Sequence, residues 1–209
     1  MTVAIGDYGA GNLRSAAKAF ERAVAEAGLD MGVVVPADPG TVRDASHVVL
    51  PGVGAFADCK RGVEALPGMR SALEEAVIRR GVPFLGICVG LQLMFSESEE
   101  RGQHRGLDLL PGRVRQFPAT ERVPQIGWNQ IAIQRPCAIL EEIPEGSFYY
   151  FVHSYYVEPA RPADSVATTD YGLEYPSIAP RDQVFGVQFH PEKRQDFGLK
   201  ILDNFANLN

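Results

Sequence analysis

Cys88 stands between two glycines in Gly86-Ile87-Cys88-Val89-Gly90, where the apolar run Pro83 to Ile87 meets Leu91, Met94 and Phe95 at helical spacing. That is a nucleophile elbow with sulfur in place of a serine oxygen. Glycines are needed on both sides because neighbouring backbone crowds the central residue. A thiol at such a turn is pushed out at the carboxyl edge of a sheet. The helix that begins there offers free N–H groups and a dipole that favour thiolate and can hold an oxyanion, the Val89 N–H first among them. An isolated Gly-x-Cys-x-Gly suits a buried structural cysteine better than a nucleophile, so the chemistry depends on partners elsewhere in the chain.

A thiol nucleophile needs a base that takes its proton and later protonates the leaving group, and histidine's proton affinity suits both tasks. His190-Pro191-Glu192 ends the strongest strand signal, Val184 to Phe189, and so is expected at the same carboxyl edge as Cys88. Glu192, two residues on, is placed to fix the imidazole tautomer and stabilise its charged form, the third role of a triad. His47, His104 and His153 are the rival bases.

The elements that must position these residues alternate in the first half of the chain. Val3 to Ile5, Met31 to Val35, Ser46 to Leu50 and Pro83 to Ile87 read as strands. Leu13, Ala16, Ala17, Phe20, Val24 and Ala27 form a helical stripe, and Met69 to Arg80 reads as a helix. This predicts an α/β fold with a largely parallel, doubly wound sheet. After about residue 105, closely spaced strand signals (Arg113 to Phe117, Gln130 to Ile133, Phe148 to Val152, Val166 to Thr169, Val184 to Phe189) predict antiparallel additions to that sheet, closed by a helix near Leu199 to Ala206. With no repeat or linker, residues 1–209 read as one domain.

Composition narrows the function. The chain has 209 residues, 45% of them hydrophobic, enough for a full core, and a net charge of −6 without a basic run, which argues against nucleic acid as a partner. No segment has the apolar length of a membrane span, and the start, Met1 to Gly6, reads as a first strand in the cytosol and not as a leader. Three well-separated cysteines fit reduced thiols, with Cys59 and Cys137 as bystanders. Gly9-Ala10-Gly11 has Arg14 where a dinucleotide loop needs its third glycine, so no nicotinamide cofactor is expected. The Glu97 to Arg101 cluster reads as a solvated loop or helix end.

Gly86 to Gln92 and Gly186 to Glu192 resemble the two signatures of the class I, triad-type glutamine amidotransferases. Asp7 to Leu13, Leu50 to Phe56, Ile126 to Asn129, Tyr150 to Tyr155 and Lys193 resemble, within that family, the glutaminase subunits of imidazole glycerol phosphate synthases. The resemblance runs end to end and implies a flavodoxin-like fold and hydrolysis of glutamine to glutamate and ammonia by Cys88, His190 and Glu192, without metal or organic cofactor. It further implies passage of ammonia to a (βα)₈-barrel synthase subunit in a heterodimer, for the ring-forming step of histidine biosynthesis. Val53 in the Pro51-Gly52-Val53-Gly54 loop, together with Val89, corresponds to the oxyanion donors, Val53 after a peptide rearrangement triggered by the partner. Gly52, Gln92, His153, Ser154 and Tyr155 correspond to glutamine contacts, with Gln92 pairing with the substrate's ammonium or carboxylate. Asn12, Trp128, Tyr150 and Lys193 correspond to the partner interface. Two positions depart from the family pattern, Gln125 for histidine and Arg194 for serine, both expected near that interface.

Three other functions fit part of the pattern. A glutaminase of another pathway would not need Lys193 or the Trp128 segment, a catalytically dead regulatory subunit would not need all three triad residues, and a partner-free cysteine hydrolase would turn over constitutively.

Overall fold

The structure is a computed structural model that describes residues 1–193 and 196–209. In chain order its strands are β1 (Thr2–Ile5), β2 (Gly32–Val34), β3 (His47–Gly52), β4 (Phe84–Cys88), β5 (Phe95–Ser98), β6 (His104–Arg105), β7 (Leu110–Gln116), β8 (Gln125–Gln130), β9 (Ala132–Ile133), β10 (Phe148–His153), β11 (Tyr155–Pro159), β12 (Ala167–Asp170), β13 (Glu174–Arg181) and β14 (Val184–Val187). The helices are α1 (Leu13–Glu26), α2 (Pro39–Asp44), α3 (Phe56–Ala65), α4 (Met69–Leu73), α5 (Val89–Leu93) and α6 (Asp196–Ala206).

The central sheet runs β2-β1-β3-β4-β14-β13-β12-β9. Its first five strands are mutually parallel and the last three antiparallel. The inner strands β3 and β4 are buried along their whole length, as continuous apolar runs covered on both faces must be. On one face α1 and α6 pack together through Phe20 and Phe205, whose rings meet edge-on at 5.9 Å. The doubly wound parallel core is as predicted. The added strands are not all additions to it: β8 and β10 form a separate ribbon, and β11-β7-β5-β6 a third sheet in which β5 and β7 run parallel.

Two local expectations change. The helix expected over Met69 to Arg80 is α-helical only to Leu73 and continues as a π-helix over Glu74–Arg79. The helix after Cys88 stops at Leu93, and Phe95 starts β5, because the peptides after Leu93 are engaged by tertiary pairing: the Leu93 and Met94 carbonyls accept from the Leu107 and Leu109 N–H groups. The Glu97 to Arg101 cluster is therefore no solvated helix end. Ser98 and Glu100 are buried, and Glu100 accepts from the Phe56 N–H at 2.7 Å, capping α3 from across the fold.

Candidate active site

Register brings the site together at the carboxyl edge of three adjacent parallel strands. Gly52 at the end of β3 is directly opposite Cys88 at the end of β4, and β14 on the other side of β4 leads through Gln188 and Phe189 to His190. Cys88 has φ 55° and ψ −111°, a conformation that costs a non-glycine residue about 1–3 kcal/mol and survives only where packing enforces it. The enforcement is visible in the flanking glycines. A Cβ on Gly90 would overlap the Leu50 carbonyl oxygen, and one on Gly86 would lie 2.6 Å from Met94 Sδ and 2.7 Å from the Gly90 carbonyl. Gly52 is confined in the same way, a Cβ there falling 2.8 Å from the Gly90 nitrogen. This lets β3 touch the elbow.

His190 and Glu192 are both buried, with Nδ1 of the imidazole 2.8 Å from Oε1 of the carboxylate. Burial disfavours the charged ring, but the neighbouring Cys88 sulfur and the Glu192 carboxylate outweigh it and raise the His190 pKa from 6.5 to about 10. Nε2 is buried and has no hydrogen-bond partner among the described residues, which leaves it open to exchange a proton with Cys88 or a bound ligand. The His190 N–H is tied to the Tyr150 carbonyl at 3.0 Å, and the Cys88 sulfur lies 4.0 Å from the Val152 carbonyl oxygen. The ribbon strand β10 thus roofs both Cys88 and His190.

The rival histidines are occupied elsewhere. His47 lies at the amino end of β3, bonded to the Leu208 carbonyl at 3.0 Å, and His104 lies beside Phe56. His153 is held between the Tyr155 carbonyl, 2.8 Å from Nδ1, and the Tyr175 hydroxyl, 3.2 Å from Nε2; burial lowers its pKa from 6.5 to about 4. An unfolded chain protonates this histidine below 6.5 while the folded one does not until about 4. Its contribution is therefore present above pH 6.5 and lost as the pH falls, on the order of 3 kcal/mol at about 1.4 kcal/mol per pH unit. Urea unfolding at a series of pH values should show this loss, and a flat profile from pH 6.5 to 4 would contradict it. His190 has the opposite sign: its stabilisation is complete below 6.5 and lost as the pH rises through about 10.

A cavity of about 270 Å³ opens over Cys88 and His190, walled by Val53, Gly54, Gln92, Glu100 and the segment Val152 to Tyr155. Both N–H bonds of Gln92 are used, by the Tyr155 carbonyl at 3.0 Å and Gln188 Oε1 at 3.3 Å, which leaves only its amide oxygen for a ligand. Gln92 is consequently suited to an ammonium and not to a carboxylate. Glu100, missed in the sequence because its neighbours are charged and polar, adds a carboxylate to the same wall. Ser154 and Tyr155 line the cavity. Val53 also lines it and is 42% exposed; the Gly52–Val53 peptide lies between two anchored carbonyls, Pro51 bonded by the Tyr8 hydroxyl at 2.5 Å and Val53 by the Cys59 thiol at 3.2 Å. Among the described residues no cluster of three or more histidine, cysteine or acidic side chains is arranged to hold a metal.

The outer face of the ribbon is apolar. Trp128 pairs with Tyr150 across the strands, their rings edge-on at 5.6 Å, and Lys193 Nζ lies 5.2 Å from the Tyr150 ring centre. Ile126, Phe148 and Val152 extend this exposed surface. The inner face carries Tyr149, Phe151 and His153, all buried. Asn12 is exposed at the start of α1. Gln125 is not at an outer face: it is 3% exposed and lies 2.9 Å from the Tyr175 hydroxyl, because the strand alternation turns it inward opposite His153. Arg194 lies outside the described residues.

Among the described residues, no helix is long and apolar enough to cross a membrane. Two solved structures share the fold: a glutamine amidotransferase at TM-score 0.71 and 16% identity, each chain 98% covered, and a glutamine amidotransferase from Thermotoga maritima at TM-score 0.64 and 19% identity, covering 92% of this chain and 76% of that one. In sequence, the chain is 50% identical to the imidazole glycerol phosphate synthase subunit HisH of Moorella thermoacetica, over 99% of this chain and 94% of that one, and 46% identical to the HisH subunit of Brucella suis biovar 1, over 98% of each. Residues 11–208 match the family described as glutamine amidotransferase class-I, and the chain belongs to that family.

Proposed function

We propose that the chain hydrolyses the side-chain amide of glutamine and delivers the ammonia to a (βα)₈-barrel synthase subunit, which uses it to form imidazole glycerol phosphate and an aminoimidazole carboxamide ribotide in histidine biosynthesis. The observation that carries the reading is Cys88 on a strained elbow in one cavity with a buried His190–Glu192 pair. The Cys88 proton passes to His190 Nε2, and the thiolate attacks the amide carbon. The Val89 N–H, joined by that of Val53 once its peptide turns, receives the oxyanion. Collapse breaks the C–N bond as His190 returns its proton to the departing nitrogen, releasing ammonia and leaving a glutamyl thioester. Water, deprotonated by His190, then attacks, and the C–S bond breaks to give glutamate and the thiolate. The Gln92 oxygen and the Glu100 carboxylate supply acceptors for the substrate's ammonium group.

The partner's seat is the outer face of the ribbon, an apolar surface one strand thick above the site. Aromatic anchors at interface centres lose about 2 kcal/mol or more on truncation, so Trp128→Ala should weaken the complex by on the order of thirtyfold, read by titrating the synthase subunit. Unchanged affinity would move the interface elsewhere. The function itself is tested by glutamate release from the chain alone, with the barrel subunit, and with that subunit carrying its nucleotide ligand. Little release alone and strong release in the liganded complex is the expected pattern. High release alone would indicate an autonomous hydrolase, and none under any condition a binding subunit without chemistry.

A further inference from the structure

We propose that Gln188 is a further residue of the catalytic apparatus, its side-chain amide donating to Cys88 Sγ and holding the sulfur as thiolate; this rests on the reading of Cys88 as nucleophile. Gln188 is fully buried between β14 and His190, and its Nε2 lies 3.8 Å from the sulfur. The orientation of its amide is dictated from two residues away. The Tyr155 carbonyl can only accept, so the Gln92 nitrogen must face it, at 3.0 Å. The second hydrogen of that nitrogen points to Gln188 and requires an oxygen there, at 3.3 Å. The end of Gln188 left for Cys88 is therefore nitrogen, a group that donates and cannot take a thiol proton.

A donor aimed at sulfur from a fully buried side chain stabilises the acceptor-only thiolate more than the thiol, and does so again when the thioester's sulfur departs. Neutral, it achieves this without competing with His190 for the proton. The other groups around Cys88 are His190, itself paired with Glu192, after β14, Glu100 across the cavity, Tyr8 after β1, Cys59 on α3 and Tyr175 on β13. Burial pushes both tyrosines well up and Cys59 to about 11, so none of these three contributes a competing charge near neutrality.

The test is the pH dependence of Cys88 alkylation by iodoacetamide in the full chain, followed on the Cys88 peptide, which requires neither glutamine nor partner. Gln188→Met keeps the length of the side chain and removes the donor. The alkylation midpoint should rise by about one pH unit, and kcat of the partnered enzyme should fall on the order of tenfold with little change in KM. An unchanged midpoint overturns the proposal even if activity drops, since lost packing alone would produce that. If the variant does not fold, the unmutated chain decides: the Gln188 side-chain amide resonance should titrate with the Cys88 midpoint and cease to do so in Cys88→Ala, and an amide indifferent to that midpoint overturns the assignment. Glutamate release surviving Cys88→Ala would instead remove the underlying nucleophile assignment, an outcome distinct from either.

Discussion

Cys88→Ala should reduce glutamate release from the partnered enzyme by at least about ten-thousandfold while leaving the thermal midpoint nearly unchanged. The only atom removed is the nucleophile, and alanine adopts the same positive φ at comparable cost, so the elbow keeps its shape. Removing Glu192 should act differently. His190 would lose the carboxylate at 2.8 Å that fixes its tautomer and helps to hold its proton, but base and nucleophile would remain. Glu192→Ala is therefore expected to cost on the order of a hundredfold, and equal abolition in a properly folded Glu192→Ala would contradict the orienting role. Measuring kcat and KM of both variants beside their melting curves separates the cases.

Gly90→Ala should be as damaging to activity through a different route. The added Cβ would overlap a backbone carbonyl, that of Leu50, at the centre of the parallel sheet, where neither α5 nor β3 has a flexible side chain to give way. Overpacking against rigid backbone costs about 3 kcal/mol or more, which for a chain of this size lowers the melting temperature by on the order of 10 °C and draws Cys88 away from β14. Gly9→Ala is the control: a Cβ there meets nothing, and only its φ of +82° is unfavourable, at about 1 kcal/mol. A melting temperature for Gly90→Ala no lower than that of Gly9→Ala would mean that the elbow yields easily and that its strain is not enforced by packing.

These effects follow from features that differ in how openly the sequence displays them. The parallel core is written in continuous apolar runs such as Phe84 to Ile87 and in the helical stripe of α1, because burial on both faces leaves no alternative pattern. The elbow is equally open, since Gly86 and Gly90 are both required by contacts a few ångströms from Cys88. What stays hidden depends on tertiary pairing. Phe95 continues the helical spacing of Leu91 yet begins a strand, because β7 offers it hydrogen bonds that no local pattern announces. Glu100 sits in a run of charges and is buried only because the N-terminus of α3, 44 residues earlier, needs an acceptor. Gln125 was expected near the partner surface, but strand alternation, set by pairing with β10, turns it toward Tyr175. Gln188 gives no signal in composition or periodicity; its importance lies in an amide orientation fixed through Gln92 by the Tyr155 carbonyl.

The proposed reaction runs through a covalent step at one sulfur, and trapping that step tests it most directly. Acid quench of the partnered enzyme during glutamine turnover, followed by intact mass and peptide mapping, should reveal a single added glutamyl group on the peptide containing Cys88, absent from Cys88→Ala. Turnover without any adduct on Cys88, or an adduct carried instead by Cys59 or Cys137, would contradict it.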